Sequence, residues 1–298
     1  MISHVTVLTN PASGHGNAPH AAERAIAQWQ RRGLDTVEIV GRDGAHAQQL
    51  LRDALDRGTD AVAVAGGDGV IALALQELAG GTVPLAIVAA GTGNDHARAF
   101  DIPCDDPEAA ADLLLDGRCQ TIDLGRIDGA DGTRKWFGTV VATGFDALVS
   151  DRANRMRWPR GRMRYNLAMV AELSRLRLLP FRLSFDGGPT EDIALTMTAI
   201  GNTRSYGGGM LICPHADPTD GLLDVTMISS ASRTRLVRLF PTVFTGTHVD
   251  LDTVTTRRAA TVAVECPGIN AYADGDFACA LPAEISAIPG ALRIITPA

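Results

Sequence analysis

The chain has 298 residues, 46% of them hydrophobic, with 27 Lys and Arg against 34 Asp and Glu for a formal net charge of −7. That length fits one large domain or two medium ones with a substantial core. The acidic balance argues against a general nucleic-acid binder, which carries a basic surface, so no nucleic-acid partner is expected. Cys104, Cys119, Cys213, Cys266 and Cys279 are widely spaced and odd in number, with no C-x-x-C pair. They read as reduced thiols of a cytosolic protein, and neither a disulfide framework nor a zinc ribbon is suggested. The sequence opens with no basic-then-apolar leader and contains no apolar run of about 18 residues, so a cytoplasmic protein with peripheral membrane contact at most is expected.

In chain order, Val5–Leu8 is a short apolar run that reads as a strand and ends in Asn10-Pro11-Ala12-Ser13-Gly14. Ala22, Ala25, Ile26 and Trp29 fall at helical spacing on one face. Thr36–Val40 is a second strand ending at Gly41, and Ala47, Leu50, Leu51 and Ala54 repeat the helical period. Ala61–Ala65 is a third strand, running into Gly66-Gly67-Asp68-Gly69-Val70 and then a helical pattern over Ile71–Leu78. Pro84–Val88 is a fourth, ending at Gly91-Thr92-Gly93-Asn94-Asp95, and a further helix covers Pro107–Leu115. This βαβαβαβ alternation predicts a parallel sheet with helices on both faces.

Right-handed crossovers bring the carboxyl ends of parallel strands to one edge, where open α/β sheets bind ligands. Three polar, Gly-rich loops therefore converge there. Glycine lets backbone N–H groups approach an anion, and a helix N-terminus adds partial positive charge. Asp68 inside such a turn would repel a bare phosphate; a metal-chelated nucleotide removes the conflict. Plainer readings stand beside this one. Asn10 before Pro11 initiates a turn, Ser13 caps a helix, and Asn94 or Asp95 caps the next one.

After about Arg126 short β runs dominate: Trp136–Ala142, Phe181–Phe185, Asp192–Ile200, Leu222–Ile228, Thr261–Glu265, Glu284–Ile288 and Leu292–Ile295. They predict a β-sandwich with Asp186-Gly187-Gly188 as a hairpin turn. Helical insertions are expected over Asn166–Arg177 and Ser232–Phe244. The expected domains are residues 1–126 and 127–298, with the last strand either closing the second or returning to the first. Arg152, Arg155, Arg157, Arg160, Arg162 and Arg164 lie among Met156, Trp158, Met163 and Tyr165. Such a basic, aromatic stretch suits an anionic membrane surface, or is a solvated Arg-rich face. Asp217-Pro218-Thr219-Asp220-Gly221-Leu222-Leu223-Asp224 gathers carboxylates at a tight turn, as a hard cation site or an Asp-rich surface turn. Asp274-Gly275-Asp276 is a second acidic turn.

Taken in order, these stretches resemble the diacylglycerol kinase catalytic-domain family, with bacterial soluble lipid kinases the nearest kin and sphingosine kinases more distant. The likeness covers essentially the whole chain. Asn10-Pro11-Ala12-Ser13-Gly14 is similar to the family's N-P-x-S-G nucleotide loop, Gly66-Gly67-Asp68-Gly69 to its G-G-D-G-T signature and Gly91–Asp95 to its G-T-x-N-D. Ile122-Asp123-Leu124-Gly125, Gly144–Ala147 and Gly207-Gly208-Gly209 resemble further family stretches. Asp217–Leu222 resembles the Mg-binding turn of bacterial members, and Asp274-Gly275-Asp276 the family's D-G-E, whose Glu is the proposed general base.

The resemblance implies an α/β nucleotide domain followed by a β-rich lipid domain, and ATP-dependent phosphorylation of a diacylglycerol-like or sphingoid hydroxyl. It implies ATP on Asn10, Pro11, Ala12, Ser13, Gly14, Gly66, Gly67, Asp68, Gly69, Thr92 and Asn94. Asp68 and Asp276 would be catalytic, Asp123 would join Asp68 on the catalytic Mg2+, and Asp217, Asp220 and Leu222 would hold Mg2+ in the second half. A lipid substrate, a membrane surface and a homodimer are the partners considered.

Departures from the pattern keep two alternatives open: an NAD-kinase-type enzyme with a soluble substrate, and a nucleotide-binding regulator with weak or lost catalysis. Val70 replaces the signature Thr, Ala72-Leu73 stand for Asn-Glu, Asn17 for a common Lys, and Gly41 for a nucleotide-contacting Thr. Asp276 in place of Glu shortens the side chain by roughly 1.5 Å, and ~1 Å of misplacement costs on the order of 100-fold in rate. Either the backbone moves in to compensate, or activity is low, or a water or Asp274 takes the role.

Overall fold

The computed structural model describes residues 2–156, 158, 162–230 and 232–298. It divides into two units. Unit 1 holds Met1–Leu124, Gly207–Gly209 and Ile288–Ala298; unit 2 holds Gly125–Tyr206 and Met210–Ala287.

Unit 1 alternates β1 (His4–Thr9), α1 (Ala18–Arg31), β2 (Asp35–Val40), α2 (Gly44–Asp56), β3 (Ala61–Gly66), α3 (Asp68–Leu78), β4 (Leu85–Ala89), α4 (Asp95–Ala99) and α5 (Pro107–Asp116). Its strands run parallel in the order β2-β1-β3-β4. β3 and β4 are buried along their whole length, which is why they read as unbroken apolar runs. α1 packs on α5 and α2 on α3. The buried stripe of α1, Ala18, Ala21, Ala22, Ala25 and Trp29, keeps helical spacing. Trp29 is fully buried and donates its indole N–H to the Ala111 carbonyl at 2.8 Å, which ties α1 to α5. The Asp43 and Asp106 carboxylates cap α2 and α5 by accepting the His46 and Ala109 N–H groups.

β5 (Arg118–Gly129) leads from unit 1 into unit 2. There follow β6 (Arg134–Phe137), β7 (Val140–Gly144), α6 (Phe145–Arg155), α7 (Arg162–Ser174), β8 (Leu179–Phe185), β9 (Glu191–Leu195), β10 (Met197–Gly201), β11 (Leu223–Ile228), α8 (Arg233–Val243), β12 (Val254–Ala259), β13 (Thr261–Glu265), β14 (Asn270–Ala273), β15 (Asp276–Ala280) and β16 (Ala283–Thr296). One antiparallel layer has the order β12-β11-β10-β7-β14-β15. The other pairs the start of β16 with β13, β13 with β8, and β8 with β9. Phe137, Phe181, Leu183, Val225, Val262 and Ile285 belong to the buried core of this unit. The end of β16 lies in unit 1, where Ile294 pairs in parallel with Leu85.

Four expectations need correction. Trp136–Ala142 is two strands, because the Gly138 and Thr139 N–H groups bind Asp274 instead of a ladder. Asp192–Ile200 also divides: β9 pairs with β8 and β10 with β7 and β11, so the chain changes layer at Thr196. Glu284–Ile288 and Leu292–Ile295 form one strand through Pro289-Gly290. Phe145–Arg155, read as neither helix nor strand, is helical. The expected Asp186-Gly187-Gly188 hairpin is present. Asp186 and Gly187 both have positive φ, 51° and 70°, and Gly188 donates to the Phe185 carbonyl.

Candidate active site

The carboxyl ends of β1, β2 and β3 open into turns that line a cleft of about 230 Å³, with Asn10 and Ser13, Gly41–Gly44, and Gly67 with Gly69 among its walls. Thr9, the last residue of β1, also lines it. That residue is 2% exposed, and its hydroxyl oxygen is buried without a hydrogen-bond partner among the described residues.

The first loop is self-braced. The Asn10 side-chain oxygen accepts the Ala12 N–H at 3.1 Å and its carbonyl accepts the Ser13 N–H at 3.0 Å. Pro11 and Ala12 are exposed. Gly14 has φ +59°, and a Cβ there would lie 1.8 Å from the Ala90 carbonyl oxygen, so only glycine fits. Gly66 closes β3, and Gly67 precedes α3 with no side-chain cap. The next loop packs against it so closely that a Cβ on Gly91 would stand 2.5 Å from the Gly67 Cα.

Asp68 is the first residue of α3. Its Oδ1 accepts the His96 N–H at 3.1 Å and lies 3.0 Å from the His96 Nδ1. Burial pushes this carboxyl up, but the His96 side-chain and backbone bonds outweigh it and hold the group below the ordinary carboxylate range. An ionised carboxylate with 21% side-chain exposure results. Asn94 adopts φ 55° and spends its side-chain oxygen on the Gly91 N–H at 2.9 Å, while Thr92 is exposed. Asp123 is 4% exposed and accepts the Gly290 N–H at 2.8 Å, joining β5 to β16 within unit 1.

Asp95, Thr9, His96 and the Arg42–Gly44 part of the wall had no site role in the sequence reading, which had singled out Gly41 only as a departure from a nucleotide-contacting Thr. Asp95 is 5% exposed and accepts the Gly208 and Gly209 N–H groups at 2.7 and 2.8 Å. It thereby brings the tri-glycine stretch to the Asp68 loop across more than 100 residues of chain. The tri-glycine and G-T-x-N-D stretches were both visible as motifs; their pairing has no sequence period to reveal it.

In unit 2 the two carboxylates of Asp274-Gly275-Asp276 differ. Asp274 accepts the Gly138 N–H, the Thr139 N–H and the Thr139 hydroxyl at 2.9, 2.8 and 2.6 Å. With three donors it braces the turn. Asp276 opens β15 and is exposed.

Asp217 accepts the Thr219 N–H and hydroxyl, and Asp220 accepts the Leu222 N–H, so this turn is closed by its own donors. The other Asp220 oxygen is paired with Arg258. Among the described residues no group of three or more His, Cys, Asp or Glu side chains is arranged to hold a metal.

Two rows of apolar side chains face outward on α7 and α8. Met163, Leu167 and Val170 are exposed on α7, and Val237, Phe240 and Phe244 on or just beyond α8. Arg233, at the start of α8, bonds the Ser174 carbonyl at the end of α7. Trp158 is 79% exposed, and Arg157 and Arg160 of the basic run lie outside the described residues. No helix among the described residues is long and apolar enough to cross a membrane.

Residues 4–127 match the diacylglycerol kinase catalytic domain, and residues 139–296 the YegS C-terminal NAD kinase beta sandwich-like domain. A protein of Mycobacterium tuberculosis (strain ATCC 25618 / H37Rv) named "Diacylglycerol kinase" is 65% identical over 99% of this chain and 96% of its own length. The "Probable lipid kinase YegS-like" of Stenotrophomonas maltophilia (strain K279a) is 32% identical over 92% and 91%. A crystal structure of a diacylglycerol kinase from Bacillus anthracis str. Sterne superposes with a TM-score of 0.72 over 99% of this chain and 96% of that one; at 17% identity it shows the fold alone. With both halves matched and a near-full-length relative at 65% identity, the chain belongs to the diacylglycerol kinase family of lipid kinases.

Proposed function

We propose that this kinase transfers the γ-phosphate of ATP to a hydroxyl of a diacylglycerol-like or sphingoid lipid. The observation that supports nucleotide binding is a cleft walled by three strand-end turns, with Thr9 among its lining residues and the buried Thr9 hydroxyl without a partner among the described residues. A desolvated hydroxyl is costly unless a ligand atom bonds it. Thr9→Val, nearly isosteric, is expected to weaken ATP binding roughly tenfold, the value of one hydrogen bond. Calorimetry measures this; unchanged affinity would remove the support.

Backbone N–H groups of Asn10–Gly14 and Gly66–Gly69 would hold phosphates, with Thr92 and the Asn94 amide beside them. When bound, MgATP supplies the phosphoryl group and neutralises charge that develops during transfer. Asp68 fits a cation ligand, since it is ionised and has one oxygen away from His96. Asp276 would accept the proton of the acceptor hydroxyl. A carboxylate is a weak base toward an alcohol, so this transfer accompanies late P–O bond formation.

The lipid would be met at an anionic bilayer. The outward rows on α7 and α8 carry apolar anchors, and Arg235 and Arg238 are exposed beside those of α8. No acidic residue occurs between Asp224 and Asp250. Each surface Arg contributes about 1 kcal/mol toward an anionic leaflet. Arg235→Glu with Arg238→Glu should therefore lower binding to phosphatidylglycerol vesicles roughly 30-fold or more. Sedimentation reads this, and a variant that still pellets like the parent protein would discard the α8 face.

A further inference from the structure

The turn Asp217–Leu222 precedes β11, whose second residue is Asp224. In the β11–β12 ladder Asp224 stands directly opposite Arg258. The guanidinium is used twice: its Nε donates to the Asp224 Oδ2 at 3.3 Å, and Nη2 pairs with the Asp220 Oδ2. Arg258 is 46% exposed, whereas Asp220 and Asp224 are 28% and 10% exposed, so the cation covers two more buried carboxylates from the solvent side.

Two further oxygens bond within the turn itself. Asp217 Oδ1 bonds Thr219 and Asp220 Oδ1 bonds the Leu222 N–H. A Mg2+ or Ca2+ site needs six or more oxygens converging within about 2.0–2.6 Å of one point. Here the Asp220 oxygen such an ion would take belongs to a guanidinium. An ion taking that oxygen would have to displace Arg258 or stand beside its positive charge. A planar, always-charged fork bridging two carboxylates is what arginine supplies and lysine does not.

We propose that Arg258 is a built-in cation of this turn: its guanidinium neutralises Asp220 and Asp224, and the Asp217–Leu222 fold needs no divalent ion. The inference concerns the turn alone and stands apart from cation use with ATP.

The test is thermal unfolding of nucleotide-free full-length protein in EDTA and in millimolar Mg2+ or Ca2+. The parent protein is expected to unfold at the same temperature in all three. Arg258→Met should unfold roughly 2–6 °C lower in EDTA and recover part of that loss with either ion, a recovery that Asp220→Asn on the same background removes. Arg258→Lys, which keeps the charge and folds if Arg258→Met does not, should stay insensitive to metal. A parent protein stabilised by Mg2+ or Ca2+, with the effect lost in Asp220→Asn, would overturn the proposal. So would an Arg258→Met protein that matches the parent in EDTA.

Discussion

Asp68→Asn is expected to lower phosphate transfer by about 10³-fold while the protein still folds. The change is isosteric, so packing at the start of α3 survives. What it removes is a full negative charge that His96 bonds keep ionised. In a site where rate depends on electrostatic positioning, loss of one such group costs on the order of 10²–10³-fold or more. Circular dichroism and Tm report the fold, and a labelled-phosphate assay the rate. Near-parental turnover in a folded Asp68→Asn protein would dismiss Asp68 from the chemistry.

Asp276→Ala is the second large effect. As the proposed base, its loss should reduce kcat by about 10²–10⁴-fold with ATP affinity little changed, because proton acceptance from the lipid hydroxyl acts in the transition state and not in nucleotide binding. Asp276→Glu restores the longer side chain of the family pattern and should retain or raise kcat. Asp274→Asn separates base from brace: Asp274 accepts three donors, so its substitution should show first in Tm. An Asp276→Ala enzyme at full rate would return the base role to a water or another group.

The parallel half of the fold was legible because β3 and β4 are buried throughout and α1 keeps a clean apolar stripe. The β half was harder to read, since its breaks depend on distant partners. Gly138 and Thr139 leave the ladder for Asp274, and Gly290 continues β16 with its N–H held by Asp123. Neither effect has a local signal. The glycine loops of the candidate site were visible as motifs, and strand order implied their shared edge. Their internal wiring was hidden: Asn94 closes its own turn, Asp95 reaches Gly208 and Gly209, and Arg258 meets Asp220 from 38 residues away. Val70 lines the cleft, so the missing signature hydroxyl changes that wall directly.

The most direct measurement of the central claim is the fate of γ-labelled phosphate. The protein is incubated with Mg2+ and labelled ATP, and offered diacylglycerol and sphingoid bases in anionic vesicles alongside free NAD. Label is predicted in the organic phase on a lipid hydroxyl. Label on NAD instead, or ATP bound with no label transferred to any acceptor, would contradict the account.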